Sequence, residues 1–97
     1  MAQLNIYADC TSNKPSKVYE CKRLLTGFTL KVYAVADELK GKKQPIEQYK
    51  LLIDFVRELF PQMSEEEALC IDTSELMPFF RELMQMPSGA MAKAQKN

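Results

Sequence analysis

A chain of 97 residues with a mass of 11.1 kDa is long enough for one domain and too short for two. Thirteen Lys/Arg balance thirteen Asp/Glu, and histidine is absent. That excludes histidine-based catalytic triads and histidine-ligated metal sites, and a neutral chain lacks the strongly basic balance of a dedicated nucleic-acid binder. The charge is unevenly placed. Residues 1–50 hold nine Lys/Arg and five Asp/Glu, a net +4, whereas residues 51–97 hold four and eight, a net −4. Such a division fits solvated helix faces, and it can also orient copies of a chain head to tail.

In chain order, Leu4, Ile6 and Ala8 alternate with polar neighbours and predict a short strand. A polar turn segment, residues 11–16, leads to a second strand over Lys17–Leu24, so the two are expected to form a hairpin. An isolated hairpin is marginally stable, so it has to lie on helices or on another chain. Phe28, Val32, Val35, Ala36 and Leu39 recur at helical spacing and predict a helix over residues 27–40, capped by Thr26 and ended by a left-handed Gly41. Pro45 fits a first helical turn. A second helix over 46–60 carries Ile46, Tyr49, Ile53, Val56 and Phe60 on one face, widened by Leu52, Phe55 and Leu59, and stops at Pro61.

Ser64 with Glu67 reads as a capping box for a short helix over 64–70, and Asp72 with Glu75 as a second one. Pro78 conflicts with a helix begun at Asp72. Either Ser74 is the cap or Pro78 opens the main helix, which is expected over 74–86 and to end at Pro87-Ser88-Gly89. Residues 1–87 form one domain on this reading, and 88–97 a flexible tail. The expected fold is α+β: an N-terminal β-hairpin packed on a mainly helical body of about four helices. Its core should contain Phe28, Val32, Val35, Leu39, Ile53, Val56, Phe60, Leu76, Phe79 and Leu83.

Few residues suggest chemistry. Cys10, Cys21 and Cys70 match no metal-binding spacing and are expected as reduced thiols, buried or semi-buried, in a cytosol-like compartment. Residues 1–9 have neither a basic start nor an apolar core of signal-peptide type, and no apolar run reaches the ~18 residues of a membrane span. Glu65, Glu66 and Glu67 fall in a helical first turn, where negative charge is favoured without any ligand. The pair Asp54 and Glu58 and the three cysteines have no histidine base or nucleophile loop beside them, so the expectation is no enzyme, no cofactor and no metal. Met77, Phe80, Met84 and Met86 nearly surround the last helix together with Leu76, Phe79 and Leu83. Methionine adapts to varied partners, so this helix is expected to give one face to the core and another to a partner.

Three stretches carry a resemblance. They are Asp54-Phe55-Val56-Arg57-Glu58-Leu59-Phe60, then Met63-Ser64-Glu65-Glu66-Glu67-Ala68-Leu69, then Ile71-Asp72 with Leu76. A hydrophobic helix ending in Leu-Phe, a short capped acidic helix and a further helix, preceded by the two strand segments, resembles the tail assembly chaperones of long-tailed bacteriophages and prophages. The resemblance implies a non-enzymatic chaperone in the host bacterial cytoplasm. It would bind the tape measure protein, promote assembly of the major tail tube protein, and act as a homo-oligomer without membrane or nucleic acid. Phe55, Leu59, Met77, Phe80, Met84 and Met86 are then the expected protein contacts, and Glu65, Glu66 and Glu67 the expected electrostatic ones. The alternative is a small regulatory or nucleic-acid-associated phage protein, suggested by the basic turn at Lys40, Lys42 and Lys43.

Overall fold

The computed structural model describes the backbone of residues 2–96 and the side chains of residues 2–86. Alternation of side chains across a strand places Ala2, Leu4 and Ile6 on one face of β1 (Ala2–Ile6), and all three are buried. Tyr19 and Cys21 do the same on β2 (Lys17–Cys21). The strands pair antiparallel with Leu4 opposite Tyr19 and Ala2 opposite Cys21, so the two buried rows coincide. The hairpin is thus apolar on one face, and four helices follow: α1 (Thr26–Gly41), α2 (Pro45–Leu59), α3 (Glu65–Ala68) and α4 (Thr73–Lys96). The architecture is the α+β arrangement expected, an N-terminal hairpin with a four-helix body.

The buried residues form one core. Val32, Val35 and Leu39 of α1 meet Leu52, Phe55 and Val56 of α2, then Leu76, Phe79, Phe80 and Leu83 of α4, with the inner face of the hairpin. Two aromatic groups run through it. Phe55 stands edge-on to both Phe28, at 6.5 Å, and Phe80, at 5.7 Å. Phe60 contacts Tyr19 of β2 at 5.3 Å and Phe79 of α4 at 6.2 Å. Such ring separations are the favourable ones for aromatic pairs. Among the described residues no buried side-chain polar atom lacks a hydrogen bond, and no polar or charged residue is buried.

The structure changes several expectations. β1 begins at Ala2 and ends at Ile6, leaving Ala8 exposed, because Tyr7 N–H turns aside to donate to the Cys70 carbonyl at 3.0 Å. β2 stops at Cys21, before Leu24. The N-cap of α1 is Leu25, with no side-chain cap, and Thr26 is already helical. Gly41 is the last residue of α1 rather than a left-handed cap. The helix ends with the Lys42 N–H donating to the Leu39 carbonyl, and no glycine among the described residues has positive φ.

On α2 the buried stripe is Leu52, Phe55 and Val56. Ile46 and Tyr49 are exposed, and Ile53 is only half-buried, as is Phe28 on α1. The face of α2 is therefore rotated by about one residue step, ~100°, from the Ile46–Tyr49–Ile53 stripe, because the widening residues Leu52 and Phe55 meet the other helices.

Helix α3 is a single turn closed by the expected box. The Glu67 N–H donates to Ser64 Oγ and the Ser64 N–H to Glu67 Oε1, both at 3.1 Å. The second box forms only by half. Asp72 Oδ1 accepts from the Ser74 N–H at 2.9 Å and its hydroxyl at 2.8 Å, while Glu75 reaches away to Asn5 and Tyr7. Asp72, not Ser74, is thus the cap of α4, and Pro78 is carried inside the helix rather than opening it. The helix is bounded at Lys96, beyond the expected end near Met86, in keeping with the high helix propensity of Ala90, Ala92, Ala94 and the lysines among them. Of the flexible tail expected over 88–97, the backbone as far as Lys96 instead continues α4, while its side chains and Asn97 lie outside the described residues.

Two substitutions test this architecture by chemical denaturation. Phe55→Ala removes the ring that joins α1 and α4 and is expected to cost about 3–5 kcal/mol. Gly41→Ala, in open space and at negative φ, should stabilise by about 0.5 kcal/mol through helix propensity and a less flexible unfolded chain.

Candidate interaction surfaces

The predicted contact residues divide into two groups. Phe55 and Phe80 are 2% and 3% exposed and face each other in the core, so they are not surface contacts of the folded chain. They were expected at a surface because their helices carry more apolar residues than one stripe holds. The fold absorbs that excess by packing the two rings on each other and Phe55 on Phe28 of α1. Leu59, Met77, Met84 and Met86 are half-buried against the same core and leave part of each side chain open.

The three glutamates also separate. Glu65 and Glu66 are exposed. Glu67 is tied into the molecule: its Oε1 accepts from the Ser64 N–H and, at 2.9 Å, from the Tyr19 hydroxyl, and its Oε2 lies 3.1 Å from Lys17 Nζ. The Ser64 N–H, the Tyr19 hydroxyl and Lys17 together hold the Glu67 carboxyl below the usual carboxylate range. Lys17 in turn lies over the Tyr19 ring, 4.8 Å from its centre. Glu67 thus fastens α3 to β2, a structural task that leaves Glu65 and Glu66 for any electrostatic contact.

Sequence reasoning missed the largest exposed apolar groups. Leu25, Leu30 and Tyr33 lie on or beside α1, Ile46 and Tyr49 on α2, and Leu69 after α3. Leu30 is 68% exposed and Leu69 is 69% exposed, values that leave most of each side chain in water. The signal was present in the sequence, because Leu30 and Tyr33 are spaced i, i+3 but fall off the Phe28–Val32–Val35–Leu39 stripe. A neighbouring groove of about 420 Å³ has Leu25, Phe28, Leu59 and Phe60 on its apolar side and Lys22 and Arg23 among its polar residues. Lys31 pairs with Glu58 and joins α1 to α2 beside this region.

A second depression, about 520 Å³, lies between the β1–β2 loop and the α3–α4 joint. Tyr7, Asp9, Cys10, Ser12 and Asn13 line one side, and Leu69 to Thr73 the other. Asp9 Oδ1 accepts from the Thr11 N–H at 2.8 Å and hydroxyl at 2.6 Å, and from the Ser12 hydroxyl at 3.2 Å. Those donors hold Asp9 below the ordinary range, as the Ser74 hydroxyl and N–H do Asp72. Cys10 and Cys70 are exposed on this cleft rather than buried or semi-buried, because both sit where the chain turns at the edge of the hairpin. Cys21 alone is buried, and burial pushes its thiol pKa up. Among the described residues no group of three or more Cys, Asp or Glu is placed to hold a metal ion, and no helix is long and apolar enough to cross a membrane.

Comparison with protein-family models, with curated proteins and with solved structures finds no match to the chain.

The Glu67 contacts carry a pH dependence. A carboxyl held below its unfolded value of about 4.3 binds fewer protons when folded. Its stabilisation is therefore complete above about pH 5 and is lost as pH falls through the folded value. Denaturation across pH 3–7 should show a shallower acid decline for Glu67→Gln than for the parent, with Asp9 and Asp72 supplying the remaining slope. An unchanged slope would mean that the Lys17–Tyr19–Glu67 contacts do not distinguish the charged carboxylate.

Proposed function

We propose that this chain is a non-enzymatic tail assembly chaperone of a long-tailed phage or prophage, working in the host bacterial cytoplasm. It would bind apolar helical segments of the tape measure protein, keep them apart until the major tail tube protein assembles, and act as a homo-oligomer. No cofactor enters this reading.

The observation that carries it is the apolar surface left over once the core is complete. Leu25, Leu30, Tyr33, Ile46, Tyr49 and Leu69 are exposed in a chain whose buried residues already form one filled cluster. Full burial of a leucine-sized side chain is worth about 1.5–3 kcal/mol, while association costs at least about 4 kcal/mol. One copy covering three or four such groups would bind weakly. Several copies along one long client would bind strongly by avidity and still release when the tube replaces them. The partly open Met84 and Met86 suit a client whose sequence varies along its length. Glu65 and Glu66 suit basic neighbours, either on the client or on the N-terminal, basic part of another copy.

The contact surface differs from the one expected from sequence. Phe55 and Phe80 leave it, Leu59, Met77, Met84 and Met86 stay at its margin, and the exposed residues of α1 and α2 enter. The test is capture of the tape measure protein of the phage or prophage that carries this chain. A double variant, Leu30→Asp with Tyr33→Asp, should keep its helix content and thermal midpoint and bind at least about tenfold more weakly, the loss of roughly 1.4 kcal/mol or more. Undiminished capture by this variant would remove α1 from the surface. Absence of capture by the parent, together with duplex DNA binding that survives added salt, would favour the nucleic-acid alternative.

A further inference from the structure

The cleft between the β1–β2 loop and the α3–α4 joint holds two of the three cysteines in the chain, one on each wall. Cys70 is fixed by the backbone. Its carbonyl accepts from the Tyr7 N–H, and the adjacent Ile71 bridges to Ile6. Cys10 follows Tyr7 by three residues, so it lies within about 11 Å of the strand end that touches Cys70. It sits in a turn closed by the Ser12 N–H on the Asp9 carbonyl at 3.3 Å and by the Asp9 carboxylate. The next tie of this loop to the body is Ser16, whose N–H and hydroxyl both donate to the Ile6 carbonyl. Eight residues, 8–15, thus separate the anchored points Tyr7 and Ser16, and the Cys10 turn lies between them. A disulfide needs the two Cα atoms about 4.4–6.8 Å apart, so closing the bridge requires this loop to fold onto the joint.

We propose that Cys10 and Cys70 are a thiol pair that closes this cleft reversibly when it meets a small-molecule disulfide. The thiolate of one cysteine attacks a sulfur of the reagent, whose S–S bond breaks and releases one reduced thiol. The second cysteine, as thiolate, then attacks the sulfur of the first and expels the other half of the reagent. The two cysteines lose two electrons and two protons, and the reagent leaves as two thiols. The bridge joins the β1–β2 loop to the α3–α4 joint, without involving Cys21, which is buried in the core and donates to the Arg23 carbonyl at 3.2 Å. This inference is independent of the proposed chaperone role.

The test is incubation of the reduced chain with oxidised glutathione, followed by intact mass, thiol titration and peptide mapping. The parent and Cys21→Ser should each lose both exposed thiols, lose the mass of two hydrogens, and yield a Cys10–Cys70 linked peptide within a monomer. Cys10→Ser and Cys70→Ser should each instead retain one glutathione on the remaining exposed cysteine. A parent that carries glutathione on both cysteines, that links to a second chain, or that bridges through Cys21 would overturn the proposal. Peptide mapping of the parent decides this even if Cys21→Ser fails to fold.

Discussion

The fold depends on the aromatic contacts that α2 makes in two directions. Phe55 stands between Phe28 of α1 and Phe80 of α4, and Phe60, one residue past the helix, stands between Tyr19 of the hairpin and Phe79 of α4. A two-stranded hairpin and three longer helices have few other ways to share one core in a chain of this size. The hairpin alone would be marginal. With Tyr19 on Phe60, and with Leu4 and Ile6 buried, it becomes the lid of the helical body. Burial of these rings also explains why α2 turns its Leu52–Phe55–Val56 face inward and leaves Ile46 and Tyr49 to solvent.

Polar contacts then fix the connections around that core. Glu67 closes the cap of α3 and reaches Lys17 and Tyr19, while Glu75 reaches Asn5 and Tyr7. Glu67 and Glu75, the acidic members of the two capping-box patterns, are both shared with the hairpin. The consequence for function is a division of labour. Aromatic residues and Glu67 build the domain, and the side chains left outside it (Leu25, Leu30, Tyr33, Ile46, Tyr49, Leu69, with Glu65 and Glu66) are free to meet a partner. On the proposed reading, a chaperone of this size needs no pocket. It needs adaptable apolar groups whose exposure does not weaken its own core.

Much of the fold was legible in the sequence because local signals agreed with the tertiary outcome. Pro45 in a first turn, Pro61 after α2, the Ser64–Glu67 box and the helical spacing of Val32, Val35 and Leu39 each act within a few residues. The errors arise where a distant partner decides. Glu75 satisfies the capping-box pattern but is drawn to Asn5 and Tyr7, seventy and sixty-eight positions away in sequence. Phe55 and Phe80 look like surplus apolar residues on a helical wheel, yet each is the other's neighbour. Cys10 and Cys70 are unremarkable as a pair until the Tyr7–Cys70 hydrogen bond folds one turn against the other. The surface was the least legible part, since exposure of Leu30 and Tyr33 follows from which faces the other elements cover.

The central claim is that client contact uses the groups outside the core and leaves the Phe55–Phe80 pair undisturbed. Residue-resolved NMR of the chain, titrated with the tape measure protein proposed as its client, tests this most directly. Shifts should concentrate on Leu30, Tyr33, Ile46 and Tyr49, with Met84 and Met86 at the margin, while the Phe55 and Phe80 ring signals stay in place. Shifts centred on those two rings, with the α1 and α2 surface unchanged, would contradict it.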